Sequence, residues 1–66
     1  MNKKEFTIEG RKFRCVSYYG YNSHYYVTVF DITDGGPRYM GQINDLEFGH
    51  SNFMSRLTEF VKVNAF

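Results

Sequence analysis

Cysteine and proline occur once each, and tryptophan not at all. Cys15, standing alone, cannot close an internal disulfide, which points to a reducing, cytoplasmic setting. One cysteine and two histidines argue against a closed zinc site. The carboxylates Asp31, Asp34, Asp45 and Glu47 do not follow calcium-loop spacing. Long apolar runs are missing too. Residues 16–30 lack Asp, Glu, Lys and Arg, but they are full of Tyr, Ser, Asn and Gly, so no membrane span is predicted. The opening Met-Asn-Lys-Lys-Glu lacks the apolar core of a secretion signal. Gly35-Gly36 is too short to cradle a phosphate, and no glycine-rich fingerprint precedes a helix. These absences leave no cofactor and no metal to expect. With no repeat or linker, residues 1–66 read as one small domain.

What the chain has in quantity is aromatic rings. Six Tyr and seven Phe make up 20% of 66 residues, within a globular balance of 42% hydrophobic and 23% charged. A domain of this size buries only about 60% of the surface its unfolded chain exposes, so a partner or second copy would help it. The net charge is +1 but unevenly spread. Residues 1–14 set Lys3, Lys4, Arg11, Lys12 and Arg14 against Glu5 and Glu9, whereas residues 31–47 set Arg38 against four carboxylates.

The patterning predicts four strands and a helix. A two-residue turn at Gly10-Arg11 would place Glu9 opposite Lys12, Ile8 opposite Phe13 and Phe6 opposite Cys15, with Phe6, Ile8, Phe13 and Cys15 on one face. The β-branched and aromatic run 25–32 reads as a strand, and Asp34-Gly35 as the centre of a type I′ turn. That register sets Asp31 against Arg38, Phe30 against Tyr39, Val29 against Met40 and Tyr26 against Ile43. Residues 18–24 form the connection between the hairpins, and residues 44–49 a turn or short helical piece. Ser51 is placed to cap a helix with Phe53, Leu57, Phe60 and Val61 on one side, ending near Val63 or Asn64. Arg56, Glu59 and Lys62 lie three apart on its other side. The expected fold is α+β: a four-stranded antiparallel meander of two hairpins with one C-terminal helix on one face, ββββα.

One helix covers one face of such a sheet. The reading pairs it with Phe30, Ile32, Ile43 and the Phe6–Phe13 side, leaving Tyr25, Val27, Val29 and Met40 open. A homodimer or a complex that buries this second face is the expected consequence.

Catalysis has little support. His50 beside Ser51 is not a nucleophile and base held by a third group, and His24 lies in a polar loop. Cys15 on an apolar face reads as a small hydrophobe. A non-enzymatic protein-binding module fits better. Tyr18, Tyr19, Tyr21 and Asn22 in the loop, with Tyr25, Val27, Val29 and Met40 on the open face, form the expected docking surface, because Tyr gives large contact area at low entropic cost. In size and architecture the chain resembles small phage or mobile-element accessory proteins that occlude a larger nuclease, repair or defence enzyme. The alternative is single-stranded nucleic-acid binding, with Tyr rings stacking bases and Lys3, Lys4, Arg11, Lys12 and Arg14 contacting phosphates. The ββββα order resembles, in architecture alone, the whirly-type single-strand binders. A net charge of +1 and a strand 25–32 without Lys or Arg count against it.

Overall fold

The computed structural model describes residues 2–20 and 24–66. Strands β1 (Asn2–Ile8), β2 (Arg11–Tyr19), β3 (Tyr25–Asp31) and β4 (Arg38–Asn44) form one antiparallel sheet in chain order, followed by helix α1 (Phe53–Ala65). This is the predicted ββββα order. No helix among the described residues is long and apolar enough to cross a membrane.

The first hairpin turns one residue earlier than expected. Its centre is Glu9-Gly10, both with positive φ (50° and 81°). Two positive φ values define the type I′ turn, whose twist matches that of the flanking strands. Phe6 therefore faces Phe13, and Glu5 faces Arg14. Moving the centre by one residue changes every partner by two, so Phe6, Ile8, Phe13 and Cys15 keep their common face, as predicted.

The second hairpin departs further. Asp31 opposite Arg38 and Phe30 opposite Tyr39 are as expected. Gly35 has the expected positive φ of 90°, but Asp34 does not, so the connection is the wider loop 32–37 and not a two-residue turn. A bulge then inserts Met40 as an extra residue of β4, so that Val29 faces Gly41 and Val27 faces Ile43. Beyond the bulge the register is displaced by one residue, and a one-residue step exchanges faces. Ile43 thereby leaves the Tyr26 and Phe30 side and joins Val27 and Val29.

Pairing between the hairpins decides which face the helix covers. Cys15 lies opposite Val29, and Ser17 opposite Val27. Phe13, Cys15, Val27 and Val29 consequently share a face, and all four are fully buried with Leu46, Leu57 and Val61. The expected arrangement is inverted for β3 alone, since Ile43 and the Phe6–Phe13 side do meet the helix as expected. Val27 and Val29 lie beneath their own helix, and Met40 packs half-buried at the margin of this core. Tyr26 and Phe30 face the other way.

Helix α1 buries Phe53, Leu57 and Val61, spaced by four, with Phe60 half-buried beside them. Asn52 stands at the N-cap in place of Ser51, without a side-chain cap bond. Instead, His50 Nδ1 accepts the Asn52 N–H at 3.0 Å. Arg56 does not pair along the helix; its guanidinium donates to the carbonyls of Asn44 and Asp45 (3.0 and 3.1 Å), tying the helix to the end of β4. Lys62 reaches Glu9 at 3.4 Å. Leu46 is the core residue the sequence pattern did not single out, and Phe48 joins Phe6 and Phe53 in an aromatic cluster with centroids 5.2–6.5 Å apart.

Candidate binding surface

With the helix on one side, nothing among the described residues forms a second layer on the other side of the sheet. Strand alternation gives it Lys3, Glu5 and Thr7 from β1, and Lys12, Arg14, Val16 and Tyr18 from β2. Tyr26, Thr28 and Phe30 come from β3, and Tyr39, Gln42 and Asn44 from β4. Rings dominate its centre. Tyr18 and Tyr26 are direct cross-strand partners, 5.1 Å apart and within 14° of parallel. Phe30 and Tyr39 are likewise opposite, meeting edge to face at 5.9 Å. Val16 and Thr28, cross-strand partners on the side that the helix does not cover, are nonetheless buried. Tyr39 is 62% exposed. A shallow depression of about 250 Å³ lies between Lys3, Arg14, Val16, Tyr18, Phe30 and Pro37.

The charge on this face is one-sided. Lys3, Lys12 and Arg14 stand against a single carboxylate, Glu5, which Arg14 holds through Nε and Nη2 at 3.2 and 3.1 Å. The remaining acids lie elsewhere. Asp31 is on the helix side, almost sealed, where Arg11 and the Thr33 N–H (2.9 Å) donate to its carboxylate and Arg38 approaches at 3.5 Å. The Arg11 hydrogen bond, opposed by burial and assisted by Thr33, holds the Asp31 carboxyl well below the usual carboxylate range.

The expected docking residues are dispersed by this geometry. Tyr18 lies on the open face. Tyr19 and Tyr25 form a T-shaped pair, 4.8 Å between centroids, on the opposite side beyond the reach of the helix. They border a groove of about 300 Å³ with Asn2, Ser17, Glu47, Phe48 and Gly49. Tyr21 and Asn22 lie outside the described residues. Val27 and Val29 offer nothing to a partner, since α1 and Leu46 seal them. The basic set also divides. Lys3, Lys12 and Arg14 stay with the open face, whereas Lys4 sits over the Phe48 ring at 5.3 Å and Arg11 is engaged by Asp31. Phe30 and Pro37, over a buried Val16, are residues of this face that the sequence pattern does not nominate. The alternation of Arg14, Val16 and Tyr18 along β2 is the signal that connects them.

Other chemistry-bearing groups are occupied. Burial pushes the Cys15 thiol up to about 12. His24 Nδ1 approaches Asp45 at 3.4 Å on the surface. No group of three His, Cys, Asp or Glu side chains among the described residues is arranged to hold a metal ion. No protein-family model, curated protein or solved structure matches the chain.

Proposed function

We propose that this chain is a non-enzymatic binding module that engages a macromolecular partner across the open face of its sheet. The observation that carries the reading is the bare face itself: four rings in two cross-strand pairs, with no second layer over them among the described residues. Aromatic residues at the centre of a patch with Lys and Arg at its margin are the usual composition of an interface core and rim. Occlusion of a larger protein by this face is supported by that composition, and it replaces the surface centred on Val27 and Val29. A single strand of nucleic acid fits the same rings, and the near absence of carboxylates weighs toward it.

Site-specific photo-crosslinking tests the surface without presupposing the partner's class. A benzophenone side chain at position 39 is expected to form adducts in the native cell, and the same group at position 63, on the exposed side of α1, is not. Adducts from position 63 with none from position 39 would overturn the reading.

A further inference from the structure

Resting on that reading of the open face, we infer that its occupant is single-stranded nucleic acid. Two features of the face converge on a polyanion bearing exposed rings. The first is ring placement. Tyr26 and Phe30 are four residues apart on β3, so the Tyr18–Tyr26 and Phe30–Tyr39 pairs are separated by about 13 Å along the strand direction. A sheet that presents rings at this scale has room to stack two or three successive bases, which a single strand can splay out and a duplex cannot. The second is charge. Lys3 and Arg14 flank the depression over Val16, between the two ring pairs. A backbone whose bases stack on both pairs would pass there, and Lys12 lies further along β2 on the same face.

Segregation of charge answers the objection from a net +1. Six of the seven acids lie off this face, in turns, in the helix or under Arg11, so the face itself carries a local +2. The same asymmetry argues against a second copy of the chain. Two-fold pairing of this face would set +2 against +2 around the rings.

Fluorescence anisotropy with a labelled twelve-residue oligothymidylate measures the inference directly. Two to three phosphate contacts predict a slope of log affinity against log salt of about −1.4 to −2.1, so that raising salt from about 50 to 200 mM weakens binding roughly 7- to 18-fold. Lys12→Gln should reduce the slope by about 0.7, and Lys62→Gln, on the helix, should leave it unchanged. Tyr39→Ser should weaken binding about 5- to 150-fold, as loss of one stacking ring requires, while loss of its cross-strand contact with Phe30 lowers the melting temperature only modestly. A duplex of the same length should bind at least about tenfold more weakly. No binding at a protein concentration of about 100 μM in low salt overturns the inference, as does affinity indifferent to Tyr39→Ser or equal for duplex and single strand. Crosslinks from position 39 that capture protein and no nucleic acid overturn this choice of occupant but leave the docking surface standing. Binding that is lost through Lys62→Gln and untouched at Tyr39 overturns the surface instead.

Discussion

Val29 lies directly opposite Gly41, one residue beyond the Met40 that an unbroken ladder would give it. That single insertion turns Ile43 toward the helix and so completes the core. Gly41 has a φ of +142°, and a Cβ built on it would come within 3.1 Å of Phe60 Cζ. Strain and contact act together there. Gly41→Ala is expected to cost about 1–3 kcal/mol in urea unfolding. Gly10→Ala supplies the comparison, because its φ of +81° is strained but nothing lies within 4 Å of its Cβ. It should cost less, near 1 kcal/mol. Equal costs would show that the bulge does not depend on close approach of Phe60.

Asp31 makes stability depend on acid. Its folded carboxyl is held below the ordinary value, chiefly by the Arg11 hydrogen bond. A lowered folded pKa contributes stability that is fully present above the unfolded pKa, about 3.9, and is lost as pH falls toward the folded value. The melting temperature should therefore drop as pH is lowered below about 5. Asp31→Asn should remove about 2–3 kcal/mol at neutral pH, less than a fully buried pair would lose because Arg11 and Arg38 still meet water. It should also flatten the acid limb. A variant that keeps the wild-type acid slope would assign that slope to other carboxylates.

The Cys15 thiol offers a probe of the core. It is fully buried between the sheet and the helix, and its pKa is raised to about 12. Thiolate is the reactive form, so a disulfide reagent at pH 8 should label the native protein several orders of magnitude more slowly than the urea-unfolded chain. Rapid native labelling would place Cys15 in a region that opens locally.

Much of this arrangement is written in local signals. The strand run at 25–31, the positive φ at Gly35 and the 53, 57, 61 spacing of α1 each depend on neighbours a few residues away. The choice of covered face does not. It depends on whether residue 15 meets residue 28 or 29, a pairing between strands that the side-chain pattern of either strand alone does not set. It depends also on a bulge at Met40 that no pattern at that residue announces. Two facts of register thus put Val27 and Val29 under the helix and leave Tyr26 and Phe30 on the surface, although the strands themselves are legible in the local pattern. Tyr18 kept its place on the surface because it is the cross-strand partner of Tyr26.

Paired lysine substitutions distinguish the two layers most sharply. Val29 is fully buried on the helix side, and Tyr39 is 62% exposed on the open side of an edge strand. A lysine at position 29 would have to bury its ammonium among Phe13, Leu57 and Val61 or force the helix away, and either outcome exceeds what a small domain can absorb. With stability of roughly 0.05–0.15 kcal/mol per residue, this chain holds on the order of 3–10 kcal/mol in total. Val29→Lys should accordingly be unfolded at every protein concentration. Its loss would come from the core of one molecule, so raising concentration should not rescue it as it would a weakened dimer. Tyr39→Lys should melt within about 1 kcal/mol of the wild type, since the ring loses only its edge-to-face contact with Phe30 and the new charge points into water. If Val29→Lys instead gave a folded monomer from a wild-type dimer, the helix would not be the layer that covers Val29. If Tyr39→Lys unfolded the protein, the open face would be part of the core and not a surface left for a partner.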